Sequence, residues 1–95
     1  MTVLHIAAGT NDIQLMDFVL ENSKSKKEIV NQKNAEGWSA LHFSVFLNNF
    51  DSTNLLLENG ADLLDKNGQA MTSIDEIIRN DHKDLLSCVY DRVSD

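Results

Sequence analysis

"TVLH" at residues 2–5 and "SALH" at residues 39–42 carry one pattern twice: a hydroxyl residue, a spacer, a leucine and a histidine. Extended outward, "TVLHIAAGTND" (Thr2–Asp12) lies on "SALHFSVFLNN" (Ser39–Asn49), with Leu4 on Leu41, His5 on His42 and Asn11 on Asn48. A shift of 33 then carries residues 34–60 onto 67–93. Lys33 meets Lys66, Asn34 meets Asn67, Ser39 meets Thr72, and Leu55, Leu56 and Leu57 meet Cys88, Val89 and Tyr90. The first shift is 37, and its four extra residues fit between Glu21 and Ile29, where "NSKSKKE" replaces the compact "NGAD" of residues 59–62. Self-similarity at such a period marks a repeat architecture, in which each unit covers the apolar face of the next.

Each unit reads as two short helices. Ser39 can cap a helix over roughly 40–47 by accepting a backbone N–H bond, and Asn48-Asn49 ends it because asparagine tolerates the left-handed backbone of a tight turn. A second helix is expected over roughly 50–58, with Phe50, Leu55, Leu56 and Leu57 as its apolar side and Gly60 as its stop. Unit one predicts helices near 3–9 and 13–22, and unit three near 73–80 and 82–91. "DKNG" (residues 65–68) is a turn. Helices this short need neighbours to be stable in water.

Ser39 and His42 also have the residue types of a nucleophile and its base. Such a pair needs an orienting acid and an oxyanion hole, and it would not recur once per structural unit, as Thr2/His5 and then Thr72/Asp75 do. Helix cap and turn clasp explain the recurrence. His5, His42 and His82 are too far apart in repeat register to share a metal ion, and no Cys/His/carboxylate cluster has ligand spacing. Cys88 falls where Leu55 and Phe18 fall, which predicts a small buried hydrophobe. Asp62, Asp65 and Asn67 begin like a calcium loop, but the closing glutamate is missing from its place. There is no glycine-rich phosphate loop. No catalytic residue, metal or cofactor is expected.

Bulk properties narrow the rest. The chain has 95 residues, 42% hydrophobic and 24% charged, enough for a single domain over 1–95. Its net charge of −7 disfavours phosphate backbones and anionic membranes. Lys24, Lys26 and Lys27, the one basic cluster, read as a solvated loop. A single cysteine excludes an internal disulfide and fits a reducing compartment, cytoplasmic or nuclear. No apolar run is long enough to span a bilayer.

These residues resemble the ankyrin repeat family. The resemblance rests on Thr2-Val3-Leu4-His5-Ile6-Ala7-Ala8, Gly37-Trp38-Ser39-Ala40-Leu41-His42, Leu56-Leu57-Glu58-Asn59-Gly60-Ala61-Asp62 and Thr72-Ser73-Ile74-Asp75. It implies an all-α repeat solenoid, an ankyrin array of three helix-turn-helix units with short hairpin loops: repeat 1 about 1–33, repeat 2 about 34–66, repeat 3 or C-cap about 67–95. There are departures from the family pattern. Proline is absent. Ser52 and Thr53 stand where apolar residues are usual, which should weaken the middle unit. Ala70 replaces a turn glycine and is expected to alter its hairpin. Asp75 replaces the histidine, and the polar tail Asp91–Asp95 reads as part of a cap. Unit one begins at its TxLH motif, so the chain is expected to be an excerpt of a longer protein or to have an atypical N-terminus.

What the resemblance implies for function is a concave face made from hairpin tips and first helices. Transferred by position, it carries Glu36, Trp38, Phe46, Leu47, Lys66, Met71 and Arg79: an apolar, aromatic centre with a charged rim, as in a protein-binding hot spot. The expected role is a non-enzymatic protein–protein interaction module, monomeric, docking another protein or a neighbouring domain of the same chain, with no nucleic-acid binding and no membrane insertion. The alternative is a structural or regulatory ankyrin block of a larger multidomain protein, such as an Arf GTPase-activating protein.

Overall fold

The computed structural model describes residues 2–93, with side chains described as far as Tyr90. Helices α1 (Val3–Thr10) and α2 (Ile13–Glu21) form the first pair, α4 (Ala40–Phe46) and α5 (Phe50–Glu58) the second, and α6 (Ser73–Arg79) and α7 (Lys83–Val93) the third. A five-residue helix, α3 (Lys26–Val30), lies between the first and second pairs. The first helices form one layer, in the order α1–α4–α6, and the second helices form the other, α2–α5–α7. This is the all-α repeat array expected from the sequence. The polar tail expected over Asp91–Asp95 lies outside the residues whose side chains are described.

Each first helix starts with the same device. Thr2, Ser39 and Thr72 accept a bond from the backbone N–H three residues on, and the side chain at that third position returns the bond to the cap's own N–H. The reciprocal box satisfies two backbone donors that a helix N-terminus otherwise leaves open. Each first helix is followed within two residues by one with left-handed backbone: Asn11 (φ 57°), Asn48 (φ 58°) and Asp81 (φ 55°). Asn and Asp are the side chains that tolerate this conformation best after glycine.

Between the layers lies an apolar core of Leu4, Ala7, Ala8, Met16, Leu20, Val30, Ala40, Leu41, Val45, Leu56, Ile77, Leu85 and Val89. Val30 accounts for α3. The "NSKSKKE" insertion does not stay a solvated loop; it winds into a turn of helix that buries Val30 completely and leaves Lys24, Lys26 and Lys27 exposed. The Lys27 stem packs over Gly60.

Ser52 and Thr53, expected to weaken the middle unit, are fully buried and fully engaged. Ser52 Oγ donates to Asn11 Oδ1 at 2.6 Å and its backbone N–H reaches the same oxygen at 3.2 Å. Thr53 Oγ1 lies 2.9 Å from both Ser44 Oγ and the Asn49 carbonyl oxygen. A buried hydroxyl is costly only when its bond is missing; Ser52 joins units one and two with directional bonds, and Thr53 ties the two helices of unit two together. Asn49 completes the seam, its Nδ2 donating to the Ala8 and Gly9 carbonyls at 2.8 and 3.2 Å.

The hairpins stack as well. In the second, Asn34 N–H donates to the Trp38 carbonyl at 2.9 Å, and Asn34 Oδ1 accepts from Glu36 and Trp38 N–H at 3.0 Å each. The third repeats this from Asn67 to Met71, Gln69 and Met71 N–H. Ala70 does not alter its hairpin; it takes the glycine conformation (φ 62°), matching Gly37 (φ 82°), and the bonds are preserved. The two hairpins meet backbone to backbone. A Cβ on Gly68 would overlap the Glu36 carbonyl oxygen, and one on Gly37 would come within 2.9 Å of Gly68 N.

Candidate interaction surface

The Ser39/His42 pair has the hydrogen bond of a nucleophile and base, 2.8 Å from Oγ to Nδ1. Both side chains are buried, however, and the second ring nitrogen is committed. Nε2 lies 2.9 Å from the Asp65 carbonyl oxygen, which can only accept, so Nε2 carries the proton and Nδ1 accepts from the Ser39 hydroxyl and N–H. His5 does the same one unit earlier, with Nε2 2.8 Å from the Trp38 carbonyl and Nδ1 2.7 Å from Thr2 Oγ1. Burial holds both imidazoles below their ordinary pKa of 6.5, against the opposing pull of those carbonyls. The histidines are clasps between one helix turn and the next connecting segment.

The His5 clasp fixes the backbone at Trp38. The indole ring, half-buried, stacks at a tilt on Phe43 (5.3 Å between centroids) and meets Phe46 edge-on at 5.8 Å. His42 lies edge-on at 6.0 Å, and His5 is edge-on to Phe43 at 5.7 Å. Such tilted and T-shaped contacts are the favoured aromatic geometries. Phe46 and Leu47 remain 49% exposed, and Leu47 leans toward Gly9, where a Cβ would sit 3.8 Å from its Cδ1.

On the neighbouring unit, Arg79 Nη1 approaches Met71 Sδ at 3.4 Å, so these two predicted residues also meet. Glu36, Lys66 and Arg79 are exposed. Lys66 contributes only its carbonyl to the scaffold, accepting at 3.0 Å from Lys33 Nζ, which also pairs with Asp65 at 2.9 Å. The predicted residues therefore group as Trp38 with Phe46, and Met71 with Arg79, on adjacent units. Sequence reasoning missed Phe43. It bridges the His5 clasp and the indole, and the available signal was an aromatic three residues before Phe46 on the same short helix.

Cys88 is half-buried rather than enclosed, with Sγ 3.8 Å from Asn54 Oδ1. Asp62, Asp65 and Asn67 are spent on turn bonds and the Lys33 ion pair. Among the described residues no group of three His, Cys, Asp or Glu side chains could hold a metal ion, and no helix is long and apolar enough to cross a membrane.

Capped helix pairs joined by stacked hairpins, with histidine clasps from unit to unit, define a helical repeat array that presents a side-chain surface. Residues 1–67 match the family model described as ankyrin repeats in three copies, and the chain belongs to the ankyrin repeat family. It is also 34% identical over 62 residues to the nuclear factor NF-kappa-B p105 subunit of Rattus norvegicus. That match covers 65% of this chain and 6% of the length of p105. Ankyrin repeats are generally non-enzymatic modules of protein–protein interaction.

Proposed function

We propose that this chain binds a protein partner through the face built from its hairpin tips and first helices, anchored by Trp38 and Phe46 and rimmed by Glu36, Lys66 and Arg79. The observation that carries this reading is the Trp38–Phe46 pair. Two aromatic rings in edge contact, one of them half-exposed, sit on a backbone clamped by His5 and His42. A rigid aromatic pair loses little entropy on binding, which is why aromatics dominate hot spots. Leu47 extends the apolar centre, and Met71 with Arg79 continues it on the next hairpin. The role requires no catalysis, and it fits a cytoplasmic or nuclear setting for a chain with one free cysteine.

The test is affinity capture of the partner by the wild-type chain and by the Trp38→Ala/Phe46→Ala variant, each checked for helicity by circular dichroism. Loss of two anchors should cost at least about 2 kcal/mol, roughly 30-fold in Kd. Equal affinity with the fold intact would remove this patch as the binding site.

A further inference from the structure

In repeat register, Trp38, Phe43 and Phe46 of unit two are matched by Met71, Glu76 and Arg79 of unit three. The packing follows the register: Phe46 meets Trp38 at 5.8 Å, and Arg79 Nη1 meets Met71 Sδ at 3.4 Å. The middle member changes in kind. Phe43 rests on His5 of the unit before and on the Trp38 of its own hairpin. Unit three puts a carboxylate at that position, and Glu76 is only 3% exposed. The position turns toward the preceding unit, so units two and three bury it between them. Glutamate is seldom enclosed unless a cation pairs with it, and among the described residues Glu76 has none. Its Oε2 accepts from Asn80 Nδ2 at 3.2 Å, a neutral donor that also serves the Glu76 carbonyl at 2.9 Å. Arg79, one turn on, is directed to Met71, and Lys33 is held by Asp65. His42, at the place matching His5, has both ring nitrogens committed. Oε1 takes no hydrogen bond among the described residues, yet it is not one of the side-chain atoms shut away without a partner; those are Asn67 Nδ2, Ser73 Oγ and His82 Nε2. One oxygen of an otherwise enclosed carboxylate therefore opens on the surface.

We infer that the protein partner anchored on Trp38 and Phe46 supplies the missing cation, an assignment that rests on the anchoring proposed above. A lysine or arginine of the partner meets Glu76 Oε1 with its charged end, and a neighbouring apolar side chain packs on the aromatic pair. Register places the two subsites side by side. Leu47 leans on Gly9 across the first seam, and the matching pair one unit on is Asn80 and Phe46. The residue that holds the carboxylate thus borders the exposed ring. The free chain has already taken Glu76 out of water, so an arriving cation gains the attraction of a poorly screened charge while losing only its own hydration. Its aliphatic stem can lie along Phe46, and the ring adds a cation–π contact. The net charge of −7 favours the approach of a basic segment. Glu36, exposed on the rim, offers no such shielded pairing.

The probe is a phage-displayed library of random short peptides, selected on the wild-type 95-residue chain. Peptides that lose binding to the Trp38→Ala/Phe46→Ala variant should share a lysine or arginine beside an apolar residue. One of them is then synthesised as selected and with its basic residue replaced by glutamine, and both are titrated calorimetrically into the wild type and into Glu76→Gln. Glutamine keeps an acceptor for Asn80 and removes the charge. The replacement should weaken binding to the wild type by at least about tenfold, the low end of coupling for a close charge pair, and leave binding to Glu76→Gln nearly unchanged. Glu76→Met, a second neutral variant of similar size, takes its place should Glu76→Gln lose helicity. Equal losses on wild type and Glu76→Gln overturn the inference and leave the Trp38–Phe46 anchoring standing. So do selected peptides that need the aromatic pair and carry no basic residue. Peptides that bind the Trp38→Ala/Phe46→Ala variant as tightly as the wild type, or a selection that returns none, overturn the anchoring and this inference together.

Discussion

Ala70 occupies a backbone conformation that suits glycine, and its removal should stabilise the protein. At φ 62° its Cβ crowds the following carbonyl. Left-handed backbone costs a side-chain-bearing residue about 1–2 kcal/mol. Ala70→Gly releases that cost but enlarges the freedom of the unfolded chain, which returns about 0.4–1 kcal/mol. The net gain is about 0.5–1 kcal/mol, a rise in Tm of about 2–8 °C for a domain of this size. The structure supplies its own control in Gly37, the matching position one unit earlier. There a Cβ would meet the same left-handed cost (φ 82°) and also the backbone of Gly68 at 2.9 and 3.0 Å. Backbone atoms cannot rotate aside, so Gly37→Ala should destabilise by at least about 2 kcal/mol. Differential scanning calorimetry of the two single variants gives both signs in one experiment. A lower Tm for Ala70→Gly, or an unchanged Tm for Gly37→Ala, would refute the strain argument.

Two further outcomes follow from the buried polar groups. His5 and His42 are held below 6.5 by burial, so between that value and their folded pKa values the unfolded chain binds more protons than the folded one. Their contribution to stability is complete above pH 6.5 and declines as the pH falls through that point. Urea midpoints should therefore drop from pH 7.5 to pH 5.5, and a rise over that interval would contradict the clasp assignment. Ser52→Ala removes the 2.6 Å bond to Asn11 and should cost about 1 kcal/mol by chemical denaturation. If polar residues at this position merely weakened packing, the same substitution would stabilise.

The repeat register and the first-helix caps were legible because each rests on local chemistry written in a few adjacent residues. Thr2/His5, Ser39/His42 and Thr72/Asp75 each hold both halves of a capping box, and their recurrence reads as a helix cap rather than a nucleophile–base pair. Ser52 and Thr53 were misjudged because their partners, Asn11 and Ser44, lie 41 and 9 residues away, and only packing brings hydroxyl to acceptor. Ala70 was misjudged for a different reason. The glycine is enforced at Gly37 by the hairpin stacked on it, a constraint carried by Gly68 rather than by position 37 itself. The insertion hid α3 because three lysines mask a single buried valine. In the binding patch, Trp38 and Phe46 stood out as residues that do not repeat, whereas Phe43 was overlooked because its importance comes from touching both His5 and Trp38.

Several of the bonds that fasten one segment of the array to the next share a property that bears on how such a surface can change. His5 holds the carbonyl of Trp38, His42 that of Asp65, Asn49 those of Ala8 and Gly9, Asn31 that of Gly60, and Lys33 that of Lys66. In every case the acceptor is main chain, so its side chain takes no part in the bond. A carbonyl is supplied by any amino acid. The position that fastens the hairpin at Trp38 is thus open to every residue that keeps an N–H for Asn34 Oδ1, all but proline, and a new partner could be selected there by substitution without redesigning the fastening. Inheritance of the frame and drift of the message are separated at the level of single residues.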